Sequence, residues 1–209
     1  MGEASYLTLR GGEEFIGEFE DRRSRFIAQL RQVSGEAEAE AFIAEIRSRH
    51  HDARHNVPAW ILSDGRERGS DDGEPSRTSG RPVLEVLRGE GLKDVCCVVT
   101  RYFGGTLLGV GGLIRAYSSA ARLALEDAGI ITYERYAVLS LAVSYSDYQR
   151  LLPEISRAGA LTDAQDFAEQ VTLTLAVKVA AAAPLCERVR ELTAGRCIPV
   201  QTGERYDYR

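Results

Sequence analysis

A continuous apolar run, Val95-Cys96-Cys97-Val98-Val99-Thr100, is the feature that most constrains the fold of this 209-residue chain. An uninterrupted apolar segment of this length, bounded by polar residues, is typical of a strand that is buried on both faces. Neighbouring strand residues point to opposite faces, so Cys96 and Cys97 do not favour a shared metal or disulfide site. We expect buried free thiols, as in a reducing cytosol.

The buried strand is preceded and followed by glycine-rich polar segments. Ser63 to Gly80 lacks large apolar residues and is interpreted as a long loop, a type of segment that is often functional. A helix is predicted from about Gly112 to Asp127, with Ala128-Gly129 ending it.

The remainder of the chain follows a different pattern. A strand is predicted at Tyr136 to Val143, and a last helix at Pro184 to Leu192, with a final strand opening at Cys197 to Val200. With a helix and two strands between them, the predicted order is β-α-β-β-α-β, which is the ferredoxin-like pattern. We therefore predict an α+β protein with a boundary near Thr132, dividing residues 1–132 from residues 133–209.

Composition limits the classes of function. Charged residues make up 27% of the chain and the net charge is -5, which disfavours a globally basic nucleic-acid binder but leaves room for a local basic stripe. The N-terminus has no signal-peptide pattern, and no apolar run approaches the roughly 20 residues of a membrane span. The sequence therefore predicts a soluble, cytoplasmic protein without membrane contact.

Acidic residues cluster at Asp71, Asp72 and Glu74, next to Gly73 and Pro75. Such carboxylates can bind a hard cation, or one of them can have a raised pKa and act as an acid or base. The alternative is a turn held by salt bridges, because Asp-Gly favours left-handed backbone geometry. The sequence does not decide between these interpretations.

The turn after the buried strand combines glycines with arginines: Gly104, Gly105 and Gly112, flanked by Arg101 and Arg115. Glycines let backbone N–H groups approach an anion, a helix N-terminus favours negative charge, and arginine binds phosphate in a bidentate manner. Phosphate or an RNA backbone is the ligand that this pattern suggests. Close packing of a glycine-lined helix is the structural alternative.

The histidines all lie between His50 and His55. His51 and His55 have the spacing of metal ligands on a helix, but the helix is predicted to stop near them. A hydrogen-bonding or catalytic role for His55, beside Arg54, is the preferred interpretation.

Five sequence blocks, in order, resemble the YigZ/IMPACT family. The blocks are Arg25-Phe26-Ile27-Ala28, Ala53-Arg54-His55-Asn56, Ser70-Asp71-Asp72-Gly73-Glu74-Pro75, Val99-Thr100-Arg101-Tyr102-Phe103-Gly104-Gly105, and Leu108-Gly109-Val110-Gly111-Gly112-Leu113-Ile114-Arg115-Ala116-Tyr117. The resemblance implies an N-terminal domain like ribosomal protein S5 domain 2 and a ferredoxin-like C-terminal domain, both similar to domains of elongation factor G. One departure is Arg77, which replaces the glycine of the family's Ser-Gly-Thr-Ala-Gly pattern.

The resemblance implies a role in translation, with RNA or the ribosome as the partner. Our expectation is a non-enzymatic binder with no catalytic residues, metal or cofactor. In it, Arg54, His55, Arg101 and Arg115 face an RNA backbone around Gly104, Gly105 and Gly112, and Asp71, Asp72 and Glu74 order the arginines. The alternatives are an enzyme acting on a phosphorylated small molecule with Mg²⁺ at Asp72 or Glu74, and a protein-interaction module docking through its C-terminal domain.

Overall fold

The structure, a computed structural model, describes residues 5–208. Its contacts divide the chain into two compact units, Tyr6–Thr132 and residues 133–208 together with Ser5. The elements in chain order are β1 (Ser5–Leu9), β2 (Glu14–Asp21), β3 (Ser24–Gln32), α1 (Glu36–Arg49), β4 (His55–Ile61), β5 (Glu67–Gly69), α2 (Gly80–Gly89), β6 (Val95–Tyr102), α3 (Gly109–Glu126), β7 (Ile130–Val143), α4 (Tyr145–Arg157), β8 (Leu161–Phe167), β9 (Val171–Lys178), α5 (Val179–Leu192) and β10 (Val200–Asp207).

The apolar run forms β6, the central strand of the first unit's sheet. The strand order is β2-β3-β6-β4-β5, and neighbouring strands are antiparallel. Cys97 packs in the core with α2 and α3, whereas Cys96 packs on the other face with Phe42 of α1. The two thiols therefore lie on opposite faces, as the alternation of strand residues predicts. Burial raises the pKa of both thiols, that of Cys97 to about 12.

Close backbone contact joins β2 to α3. A Cβ atom placed on Gly17 would lie 2.2 Å from the backbone nitrogen of Ala124 and 2.6 Å from the carbonyl oxygen of Ala120. Neither backbone atom can rotate away, so only a residue without a side chain fits at this crossing. This packing fixes the position of α3, and so of its first residues, against the sheet.

The second unit has the ferredoxin-like arrangement that the sequence predicts. Its strands lie in the order β10-β7-β9-β8, all antiparallel, and one core joins them to α4 and α5. Ser144 caps α4, because its hydroxyl oxygen accepts the N–H of Asp147 at 3.2 Å. The α+β class of the whole chain is thereby confirmed.

Several predicted boundaries were wrong in ways that have local causes. The predicted loop from Ser63 contains β5, which consists of exposed residues and forms by pairing with β4 instead of by apolar alternation.

Helix α5 begins at Val179, before Pro184, because the intervening alanines favour a helix. Helix α3 begins at Gly109, three residues before the predicted start, and Gly109 itself has a left-handed φ of 72°. Strand β7 begins at Ile130 and β10 runs through Asp207; both extensions form ladder hydrogen bonds with other strands.

None of the helices within residues 5–208 combines the length and the apolar character that crossing a membrane requires.

The contact between β2 and α3 gives a first prediction. Gly17→Ala should lower the free energy of unfolding by about 3 kcal/mol, because the added methyl group overlaps fixed backbone atoms. Urea denaturation measures the change. Gly203→Ala is the control, since nothing lies within 4 Å of its added Cβ atom. Equal stability of the two variants would contradict the packing described here.

Candidate functional site

Arg101 lies near the end of β6, in register with His55 of β4 on one side and Phe26 of β3 on the other. Residues in register on neighbouring strands point to the same face of the sheet. The sequence order of the strands thus brings Arg101 and His55 together, although 45 residues separate them in the chain. The guanidinium carbon of Arg101 also lies 5.5 Å from the ring centre of Phe26.

The guanidinium of Arg101 forms a buried ion pair with Glu74. Nη1 of Arg101 donates to Oε1 of Glu74 at 2.7 Å, and the two side chains are 8% and 3% exposed. The hydroxyl of Tyr117, on α3, donates to the same oxygen at 2.8 Å. Burial, together with Glu74, raises the pKa of Tyr117, so this hydroxyl stays protonated and keeps donating. A buried charge pair of this kind needs such additional hydrogen bonds to offset its desolvation.

One polar atom of this cluster has no partner. Nε of Arg101 is buried and makes no hydrogen bond within residues 5–208. An unsatisfied buried donor costs free energy of about 1–3 kcal/mol. The residue that carries this donor also lines a cavity.

His55 is fixed by the loop that carries Glu74. Its Nδ1 lies 2.8 Å from the carbonyl oxygen of Asp72. A carbonyl oxygen only accepts, so Nδ1 carries the proton, and in the neutral ring Nε2 is left as an acceptor. Nε2 lies 3.9 Å from Oε1 of Glu74.

The carboxylates of Asp71 and Asp72 hold the same loop together. Asp71 accepts the backbone N–H groups of Arg77, Ser79 and Gly80 at 2.7–3.1 Å. Asp72 accepts the N–H of Asn56 at 2.7 Å and pairs with Arg47 at 2.8 Å. Of the acids expected to order the site's arginines, Glu74 therefore contacts Arg101, whereas Asp71 and Asp72 order the backbone.

Arg77 adopts the left-handed conformation, with φ of 64°. The resemblance places a glycine at this position, and the backbone still has the geometry that suits glycine. The arginine side chain is exposed, so the loop keeps its shape at the cost of local strain and gains a charge.

The glycines expected to bind an anion have packing roles. A Cβ atom on Gly104 would lie 2.0 Å from the backbone carbonyl carbon of Arg23, in the turn between β2 and β3. The N–H of Gly104 donates to the hydroxyl of Ser24 at 3.1 Å. Gly105 has φ of 86°, and Gly112 lies within α3, where an added Cβ atom would meet the side chain of Leu108.

A cavity of about 410 Å³ opens beside these groups. Its lining consists of Arg54, His55, Glu74, Pro75, Arg101, Phe103, Leu107, Leu108, Gly109, Val110 and Leu113. The loops that the sequence singled out therefore meet, but Gly104, Gly105, Gly112 and Arg115 do not line this cavity. Arg115 is exposed and pairs with Asp21 at 2.7 Å.

The sequence interpretation missed the apolar wall of the cavity. Phe103, Leu107 and Val110 are 45%, 80% and 60% exposed. Large apolar side chains within a glycine-rich polar turn were the available signal, because such a turn has no need of them for its own packing.

The histidines are separated from one another. Nδ1 of His50 lies 2.9 Å from the hydroxyl of Tyr102, and its Nε2 lies 2.7 Å from the amide group of Gln29. His51 is exposed in the following turn, and His55 faces the cavity described above.

Several arginines at or near the cavity lack an acidic partner among the described residues. Within residues 5–208, the arginines that form no ion pair are Arg22, Arg23, Arg54, Arg77 and Arg122. Arg54 lines the cavity, and Nη1 of Arg22 donates to the carbonyl oxygen of Leu107 at 3.1 Å. Arg23 contacts the Gly104 turn, and Arg77 belongs to the loop that supplies Glu74 and Pro75. Arg122 lies elsewhere, near the C-terminal end of α3.

Comparison with known proteins shows which family the chain is related to. The Impact N-terminal domain matches residues 22–125, and a domain of unknown function, DUF1949, matches residues 141–196. IMPACT family member YvyE of Bacillus subtilis is 37% identical over 196 residues, covering 92% of this chain and 88% of the relative. The chain belongs to the IMPACT family. Its site residues come from the first of the two matched domains.

Two further comparisons agree with this assignment. IMPACT family member YigZ of Escherichia coli is 40% identical over 136 residues, covering 63% of this chain and 65% of the relative. A solved structure titled as a crystal structure of a hypothetical protein superposes with a TM-score of 0.66 at 28% identity, covering 96% of this chain and 98% of the other.

The strain at Arg77 gives a second prediction. Arg77→Gly should raise the free energy of unfolding by about 0.5–1 kcal/mol, because glycine relieves the left-handed strain but costs chain entropy. Thermal denaturation measures the change. Ser76→Gly, in the same loop but without positive φ, should lower stability by a similar amount. A fall in stability for Arg77→Gly would contradict the claim that the left-handed backbone at Arg77 is strained.

A third prediction concerns Asp71. Burial pushes its pKa up, but the N–H donors and the Ser79 hydroxyl outweigh this and hold the pKa below its usual value. A lowered pKa in the folded state stabilises the fold above the unfolded value of about 3.9, and this contribution disappears as pH falls through the lowered pKa. Asp71→Asn should therefore flatten the loss of stability below about pH 4.

Urea denaturation as a function of pH checks the Asp71 prediction. Asp166→Asn is the control, because Asp166 is exposed on β8 and lacks such donors among the described residues. If the loss of stability at low pH is unchanged in Asp71→Asn, or is flattened equally in both variants, the lowered pKa assigned to Asp71 is contradicted.

Proposed function

We propose that this protein regulates translation without catalysing a reaction, by binding RNA, ribosomal RNA included, at the cavity beside Arg101. Membership of the IMPACT family supports a role in translation. The observation that carries the proposal is that Arg54, which lines the cavity, and Arg22 and Arg23, which contact the neighbouring turn, lack acidic partners among the described residues.

The charge argument depends on the contrast with the rest of the surface. The chain is acidic overall, with a net charge of -5, and most described arginines are neutralised by carboxylates. Arginines left without partners therefore produce a local positive region. Arginine forms bidentate contacts with phosphate, so such a region suits a polyanionic backbone.

The start of α3 adds to this positive region. Gly109 and Val110, its first residues, line the cavity, and no side chain caps the helix. The N–H groups of a first helical turn and the helix dipole both favour a negative charge nearby. Arg54 lines the same cavity.

The acidic side chains do not favour a rival magnesium-dependent reaction. Asp72 is engaged by Asn56 and Arg47, and Oε1 of Glu74 by Arg101 and Tyr117. Holding a cation would require these contacts to break, and breaking a buried ion pair costs about 3–5 kcal/mol. Binding to the positive rim requires no such rearrangement.

Filter binding with an RNA hairpin that carries a single-stranded loop tests the proposal. Native protein should bind, and its affinity should fall with salt, because phosphate contacts release counterions. Arg54→Ala should weaken binding and reduce the slope of log affinity against log salt by about 0.7–0.9, the value of one phosphate contact.

Arg122→Ala is the matched control, because Arg122 is also exposed and unpaired but lies away from the cavity. It should leave both the affinity and the salt slope unchanged. Absent binding at low salt, or equal effects of the two variants, would overturn the proposal.

A further inference from the structure

We infer that the cavity takes one unstacked nucleobase of a single-stranded RNA, while the surrounding arginines hold its phosphates. This inference rests on the proposed function and specifies which part of the RNA enters the protein. It separates the base from the backbone because the cavity interior and its rim have different chemistry.

The interior of the cavity is unsuited to a bare phosphate. Pro75, Leu108, Val110 and Leu113 contribute apolar walls, and the volume of about 410 Å³ lies in the range of small-molecule sites, about 300–1,000 Å³. A charged group loses hydration among apolar side chains. A flat, largely apolar group such as a base gains from the same contacts, whereas phosphates remain at the arginine rim.

Phe103 supplies an aromatic face for such a base. Its ring lines the cavity and is 45% exposed, and the guanidinium carbons of Arg54 and Arg101 lie 6.0 Å and 5.6 Å from the ring centre. Proteins that bind single strands commonly stack bases on aromatic rings beside arginine. Exposed Phe103 is otherwise unexplained, because it takes no part in the buried core.

The polar groups in the cavity suit the edge of a base. The buried Nε–H of Arg101 lacks an acceptor among residues 5–208, and the side chain is 8% exposed. When the His55 ring is neutral, its Nε2 is an acceptor, because Nδ1 donates to the backbone carbonyl of Asp72. Every nucleobase presents a donor beside an acceptor on its Watson–Crick edge, and bases paired in a duplex cannot offer it. The site therefore selects single strands.

The test compares probes that have the same phosphates but differ in their bases. Fluorescence anisotropy is measured with a labelled single-stranded oligouridine and with an abasic strand of equal length and charge. Native protein should bind the oligouridine about 5- to 150-fold more tightly, the effect of one stacked base.

Variants of Phe103 test whether its ring causes the preference for oligouridine over the abasic strand. Phe103→Ala should remove the preference for oligouridine over the abasic strand and leave the salt dependence in place. Phe103→Leu keeps an apolar side chain, so it should fold normally and still lose most of the preference. Phe167→Ala, which removes another aromatic side chain of similar exposure (49%), should retain it.

The outcomes separate the inference from the proposed function. Equal binding of the two strands by native protein, with a normal salt dependence, would overturn the base site and leave RNA binding intact. A preference that survives in both Phe103 variants, or is lost in Phe167→Ala, would also overturn it. Binding of neither strand, nor of the hairpin, would overturn both.

Discussion

The buried ion pair between Arg101 and Glu74 joins the parts of the chain that form the cavity. Arg101 comes from the central strand, Glu74 from the long loop, and Tyr117, which shares the same carboxylate oxygen, from α3. Each element therefore fixes the others through one low-exposure contact. Because breaking a buried pair is costly, the cavity has a rigid floor against which a ligand can be positioned.

The loop that carries Glu74 is itself held by hydrogen bonds from acids to backbone. Asp71 binds the N–H groups of its far end, and Asp72 binds Asn56 at the start of β4. These contacts maintain a backbone in which Arg77 stays in a left-handed conformation. The protein thus accepts strain at an exposed arginine in the loop that carries Glu74.

Whether an arginine forms an ion pair follows from where the acidic residues lie. Most arginines elsewhere in the described residues meet carboxylates close by, for example Arg31 with Glu45 and Arg205 with Asp163. The hairpin turn at Arg22 and Arg23 and the turn at Arg54 have no carboxylate within ion-pair distance among the described residues. An acidic protein can therefore carry a local region of positive charge.

The sequence by itself determined the buried central strand, the opposite placement of Cys96 and Cys97, and the β-α-β-β-α-β order, because these depend on local periodicity. It also located the loops around Arg54, Glu74 and Arg101, through their composition and their resemblance to a known family. The structure alone decided which side chains share a surface. Cross-strand register pairs Arg101 with His55, and Arg115 instead points to Asp21. The apolar wall at Phe103 and Leu107 was also decided by the tertiary structure, since whether an apolar side chain is buried or exposed depends on packing between elements distant in the chain.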